Sequence, residues 1–156
     1  MNKKELLRQL DHTHQEMLDL LETVDPFQVI YEETGWRVKD IVAHVATWDA
    51  ETLRSFHALR RNTEYSIPNY TDVDDFNAYA AHARMDESMA RIMSDWDATR
   101  SWMKIIFNAM SDEQFALEMT YPSGRRGLAA DLAAEIPDHE RQHMEDIRSA
   151  QRHDPA

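Results

Sequence analysis

Hydrophobic residues recur at helical spacing along most of this chain of 156 residues. The first such segment covers about residues 3–22 and ends before Asp25-Pro26. Four apolar residues form the stripe of this amphipathic helix: Leu6, Leu10, Met17 and Leu21. A second helix of about 25 residues is predicted after Thr34-Gly35. Its apolar positions are Val38, Ile41, Val42, Val45, Leu53 and Phe56.

A third helical region follows a loop that contains Pro68. Thr71 or Asp72 offers a cap for its beginning, and the helical pattern continues to about Met110. A span of about 39 residues is far longer than an ordinary helix, so we expect a break or kink within residues 82–87.

The rest of the chain is predicted to contain one short helix and one long helix. Ser111 begins the motif Ser-Asp-Glu-Gln, a capping box that is typical of a helix start. The fourth long helix covers about residues 128–150, and its stripe consists of Leu128, Leu132, Ile136, His139, His143 and Ile147. Because no strand pattern separates the helices, the sequence predicts an all-α four-helix bundle, a single domain over residues 1–156.

Composition narrows the possible partners and chemistry. The 29 acidic and 17 basic side chains give a net charge of −12, which repels nucleic-acid phosphates and anionic lipid surfaces. No apolar run reaches the roughly 20 residues of a membrane-spanning helix. We therefore expect neither nucleic acid nor a membrane as a partner. The absence of an apolar leader behind the first lysines predicts a cytoplasmic protein. The chain has no cysteine, so a metal would be bound by His, Asp or Glu.

The sharpest local motif is the pair His139 and His143 in the fourth helix. Residues four apart lie one turn apart on the same helical face, so two imidazoles in this arrangement can chelate one ion. Taken alone, the pair fits a metal site and a pair of solvated or core-bonded histidines equally well.

A third histidine, His44, lies on the apolar face of the second helix between Ile41, Val45 and Trp48. Inward imidazoles bring polar nitrogens into an interior that penalises an unpaired group by roughly 1 to 3 kcal/mol. A shared metal would satisfy all three rings. Three protein ligands leave positions open for water or substrate, which is the pattern of a catalytic metal site.

The segment Trp36 to Trp48, together with His139 and His143, resembles the DinB/YfiT-like superfamily of metalloenzymes. That superfamily includes bacterial low-molecular-weight-thiol transferases and mycothiol-dependent maleylpyruvate isomerase. The resemblance covers essentially the whole chain and implies an up-down-down-up bundle that is often a homodimer. It also implies a divalent metal, commonly zinc or nickel, with His44, His139 and His143 as the ligands.

Pro137 stands two residues before His139. Because a proline inside a helix removes one backbone hydrogen bond and crowds the preceding turn, we expect a kink there or a helix that restarts at Pro137.

Candidate residues for the chemistry lie close to the predicted ligands. Asp49 is the preferred proton carrier and hence the predicted catalytic residue, with Asp40, Glu135 and Glu140 as weaker candidates. In a chain with 29 acidic residues, a surface position is the ordinary alternative for each of them. Trp48 is predicted to line the pocket mouth and contact a bound cofactor, although an aromatic residue at this spacing also suits a core.

Two classes of function fit these observations. The first is a metal-dependent enzyme that transfers an external low-molecular-weight thiol to a small electrophilic molecule, or hydrolyses such a molecule. The second is a non-catalytic bundle that binds or sequesters a small molecule, or assembles as a dimer without turnover. The loops and the pocket mouth determine the substrate, and the ligand pattern does not.

Overall fold

The computed structural model of the protein describes residues 2–68 and 72–153. Within them the chain forms six helices: α1 (Lys3–Leu21), α2 (Val38–Arg60), α3 (Val73–Ala83), α4 (Met89–Ala109), α5 (Asp112–Phe115) and α6 (Ala129–His153). It also forms four short strands: β1 (Val29–Tyr31), β2 (Trp36–Arg37), β3 (Glu118–Thr120) and β4 (Arg126–Leu128). The four long helices α1, α2, α4 and α6 are those predicted from the apolar pattern.

Side-chain caps begin several of the helices. Asn2 accepts the first-turn N–H of α1, Ser88 does so for α4, and Ser111 forms the predicted capping box with Gln114. Asp72 caps α3 as predicted, whereas Thr71 lies outside the described residues. Because α3 ends at Ala83 and Ser88 caps a new helix, the expected break in the third helical region is confirmed.

The expectation that no strands separate the helices is wrong in detail. Two antiparallel hairpins, β1–β2 and β3–β4, precede α2 and α6, the two helices that carry the histidines. Gly35 and Gly124 take positive φ angles of 75° and 90° near the turns, a conformation that glycine adopts at low cost. Strands of two or three residues are too short to show an alternating pattern in sequence.

Contacts at the two ends of each interface establish the directions of the helices. Along α1 and α4 the residue numbers run in opposite directions, in the pairs Lys3–Met110 and Asp11–Lys104. Along α1 and α6 they rise together, in the pairs Gln9–Arg141 and Glu16–Arg148.

The interface between α2 and α4 is parallel as well. Its pairs are Asp49–Trp96 and Phe56–Phe107. Therefore α1 and α6 point one way and α2 and α4 the other, which confirms the up-down-down-up topology. Because α2 and α4 are parallel and packed together, the chain must return along the bundle between them, and the segment with α3 provides that return.

The buried side chains form two apolar clusters, one on each side of a polar layer. In α2, α4 and α6 the residues of that layer, Asp49, Arg100 and Glu140, lie between members of the two clusters along the helix. The polar layer thus lies between two layers of packed hydrocarbon.

Arg100 is the centre of this layer and is only 4% exposed. Its guanidinium donates to Asp49 Oδ2 at 2.8 Å, Glu140 Oε2 at 3.1 Å and the Leu10 carbonyl at 3.2 Å. Trp96 Nε1 donates to the same Asp49 oxygen at 2.7 Å. One cation therefore connects α1, α2, α4 and α6.

We predict that Arg100→Met lowers the free energy of unfolding by about 3–5 kcal/mol, because it leaves two buried carboxylates without their cation. Urea unfolding measures the change. Arg91→Met is the control, since Arg91 pairs with Asp95 on the surface and is 69% exposed, and it should cost less than about 1 kcal/mol. Equal losses in the two variants would contradict the assignment.

Candidate metal centre

The structure brings together the three histidines that the sequence predicts as metal ligands. His44 comes from α2, and His139 and His143 come from successive turns of α6. His139 Nε2 lies 3.1 Å from His44 Nε2 and 3.0 Å from His143 Nε2. One potential ligand atom from each ring lies within 4.8 Å of the other two.

This arrangement of nitrogens suits a divalent ion. Zinc–nitrogen bonds of about 2.0–2.1 Å in a tetrahedral site place two ligand nitrogens about 3.4 Å apart. The separations of 3.0 and 3.1 Å lie within a few tenths of an ångström of that value. Neutral imidazoles in contact through these nitrogens need a proton or a cation between their lone pairs. The three residues therefore fit a metal.

Helix α6 continues through Pro137, so the restart, one of the two expected alternatives, is wrong, and the kink stays a prediction. The proline removes one backbone hydrogen bond, to the carbonyl of Ala133. Packing stabilises the helix at the missing hydrogen bond, because three residues of this turn are buried: Ala133, Ile136 and Pro137. His139 and His143 thus stay on one continuous helical face.

Burial keeps the three imidazoles uncharged. It is the largest cause that lowers the pKa of His44 to about 3 and that of His143 to about 4, and the neighbouring histidines lower both further. Burial also lowers the pKa of His139, against the carboxylates of Asp49 and Glu140, which raise it. Near neutral pH all three rings are neutral, the form that binds metals.

Polar partners contact two of the histidines from outside the centre. Tyr31 Oη lies 2.7 Å from His143 Nδ1 and also donates to Asp146. The side chain of Asn77 acts on His44 by raising its pKa, and it accepts a hydrogen bond of 2.6 Å from Trp48 Nε1. Such partners set the orientation of metal-binding rings.

The interpretation of the nearby carboxylates as surface groups is wrong for two of the four. Asp49 is 2% exposed and Glu140 is fully buried, and both are paired with Arg100. Glu135 is exposed and paired with Arg125, and Asp40 bonds to Arg37 at the start of α2. Glu140 follows His139 by one residue, so its side chain leaves α6 from an adjoining part of the helix surface. From there it faces the guanidinium of Arg100.

A cavity of about 700 Å³ opens beside the centre. Its wall includes His44, His139, Trp48 and Asp49, so both residues predicted next to the ligands lie at the cavity. Loop residues after β3 and the side chain of Arg125 form another part of the wall. A volume of this size accommodates a small organic molecule.

Sequence reasoning missed three residues of this region: Tyr31, Asn77 and Arg100. Only Arg100 had a usable signal, because it stands at helical spacing between Trp96 and Met103 on the apolar face of α4. Tyr31 and Asn77 come from a short strand and from α3, and no spacing connects them to the histidines.

No helix in residues 2–68 and 72–153 is long and apolar enough to cross a membrane. No curated protein matches the chain. The solved structures that are similar in fold include these two. One is a mycothiol-dependent maleylpyruvate isomerase, with a TM-score of 0.76 and 17% identity over 94% of this chain and 61% of that chain.

The other is YfiT from Bacillus subtilis, described as a probable metal-dependent hydrolase with an unusual four-helix bundle topology. It has a TM-score of 0.78 and 16% identity over 96% of this chain and 86% of that chain. Identities this low show a shared fold and leave activity open. The sequence profile of the DinB superfamily matches residues 9–147. The chain therefore belongs to the DinB superfamily.

Proposed function

We propose that this protein is a metal-dependent enzyme in which His44, His139 and His143 hold one divalent ion, zinc or nickel. The observation that carries the proposal is the approach of three neutral imidazoles to within 4.8 Å of one another beside a large cavity. Neutral imidazoles suit both metals. Three protein ligands leave coordination positions for water or for a substrate.

The bound ion would lower the pKa of a coordinated water or thiol and so supply a nucleophile near neutral pH. Because the chain has no cysteine, a thiol would come from a separate low-molecular-weight molecule. The proposed reaction is transfer of that thiol to a small electrophilic molecule, with hydrolysis as the alternative. Both similar structures are described as enzymes, an isomerase and a hydrolase, which supports turnover over simple binding.

Two residues of the cavity wall would act on the reactants. Asp49 is proposed to carry the proton, since its carboxylate lies at the cavity and influences His139 electrostatically. The ring of Trp48 packs edge-on against Phe76, and its N–H is bonded to Asn77. A ring held in this way offers a firm apolar surface for the thiol cofactor.

We also propose that the protein is a homodimer. Trp102 and Ile105, one turn apart on α4, are 57% and 58% exposed. A second copy that covers them would remove this apolar surface from water.

We predict that protein produced without a histidine tag carries one equivalent of zinc or nickel, and that His44→Ala loses it. The control is His57→Ala, which removes another histidine from α2. Inductively coupled plasma mass spectrometry measures the metal content. Trace metal that persists in His44→Ala would contradict the proposal and favour the second class of function, a bundle that binds or sequesters a small molecule.

We predict that Asp49→Asn lowers turnover at least about 100-fold while the metal stays bound, because a proton carrier contributes roughly that factor or more. The assay follows a thiol replacing chloride on an aryl chloride, with ester hydrolysis measured in parallel. Glu51→Gln is the matched control, since Glu51 is another buried, arginine-paired carboxylate of α2. Full activity of Asp49→Asn would refute the role of Asp49.

We predict that the metal-free protein becomes less stable as the pH falls from about 6.5 toward 4. The unfolded chain protonates its histidines near pH 6.5, whereas folded His44 and His143 remain neutral until about pH 3 and 4. Each of the two histidines lowers the free energy of unfolding by up to about 1.4 kcal/mol for each pH unit of acidification. Urea unfolding of the metal-free protein measures this slope.

The double variant His44→Gln, His143→Gln serves as the comparison for the pH series. Its slope between pH 6.5 and 5 should be flatter than that of the unchanged protein. Parallel slopes would show that the two histidines are not held neutral.

A further inference from the structure

The hydroxyl of Tyr31 lies between a proposed metal ligand and a carboxylate. Tyr31 is the last residue of β1, and its Oη is 2.7 Å from His143 Nδ1. The same Oη bonds to Asp146 Oδ2, one turn beyond the ligands on the exposed surface of α6. The hairpin thus reaches across to α6 and contacts the ring of His143 on the side away from the other histidines.

Counting protons determines the direction of both hydrogen bonds. A phenol has one proton to donate, and an ionised carboxylate only accepts. Tyr31 therefore donates to Asp146 and accepts from His143, so that His143 carries its proton on Nδ1.

The position of this proton decides whether His143 can bind a metal at the centre. With Nδ1 protonated, the neutral ring has its lone pair on Nε2, the atom that lies 3.0 Å from His139 Nε2. Without the acceptor at Nδ1, the ring could instead protonate Nε2 and donate that proton to His139 across the same short contact. In this second tautomer the proton on Nε2 lies where the metal ion would bind.

We propose that Tyr31, held by Asp146, is a positioning residue that keeps His143 in the tautomer whose Nε2 is free for the metal. The inference rests on the proposed function in one respect, which is that a metal binds Nε2 of His143. The tautomer itself is a property of the metal-free protein. Hydrogen-bond partners of metal-binding histidines typically change metal affinity by about 10- to 100-fold.

The test compares Tyr31→Phe with Tyr65→Phe. Tyr65 also donates its hydroxyl proton to a carboxylate, that of Glu51, so the control loses a similar hydrogen bond away from the histidines. A second variant, Asp146→Asn, keeps the tyrosine but lets it turn its proton toward His143. Its control is Glu145→Gln, the neighbouring exposed carboxylate that pairs with Arg152.

Two measurements are made on each protein near pH 7.5. Nitrogen-15 NMR shifts of the histidine rings report the tautomer of His143 in metal-free protein, and competition with a chelator gives the dissociation constant for zinc. We expect Tyr31→Phe and Asp146→Asn to move His143 toward the Nε2-protonated form. We also expect them to weaken zinc binding by about 10- to 100-fold, with both controls unchanged.

An unchanged tautomer in the two variants would overturn the inference, and so would equal losses of zinc affinity in variant and control. If the unchanged protein shows the Nδ1-protonated ring but binds no zinc or nickel, the metal proposal fails while the role of Tyr31 in the tautomer stands. Asp146→Asn alters an exposed side chain, so we expect this variant to fold. It therefore tests the inference even if Tyr31→Phe unfolds.

Discussion

The buried guanidinium of Arg100 is the interaction on which the architecture depends. Its donors reach Asp49, Glu140 and the Leu10 carbonyl, so that a single side chain of α4 is bonded to the other three long helices. A charge in the interior is tolerated only when its partners are in place. The layer therefore restricts how α2 and α6 can slide past each other, and these helices carry the three histidines. Apolar packing above and below the layer tolerates small shifts, whereas these hydrogen bonds do not.

The same low-polarity interior accounts for the chemistry available at the centre. Burial opposes protonation of His44, His139 and His143. A neutral imidazole can bind a metal ion, whereas a protonated imidazolium repels it. The acidic partners of Arg100 lie just behind His139 and offset part of this effect. The three rings are thus uncharged, while the carboxylates of Asp49 and Glu140 next to them are paired with the guanidinium of Arg100.

The helices of the bundle and the connections between them contribute different parts of the candidate site. The bundle places the three histidines on two helices, α2 and α6, and the cavity wall adds residues from segments outside those helices. Asn77 belongs to α3, and Arg125 belongs to the β3–β4 connection. Connections of this kind vary freely without disturbing the core. We therefore propose that these segments select the substrate, while the proposed metal centre would supply the chemistry.

The amino-acid order predicted the four long helices, the break before α4 and the two histidine-bearing faces, because helical periodicity and the i, i+4 spacing are local properties. It also indicated His44, since a histidine on an apolar stripe stands out. The folded structure was needed to show that Glu140 and Asp49 are buried, that Tyr31 contacts His143 and that α6 continues through Pro137. The burial of Asp49 and Glu140 and the contact of Tyr31 depend on residues 40 to 112 positions apart, for which the order of amino acids along one helix contains no signal.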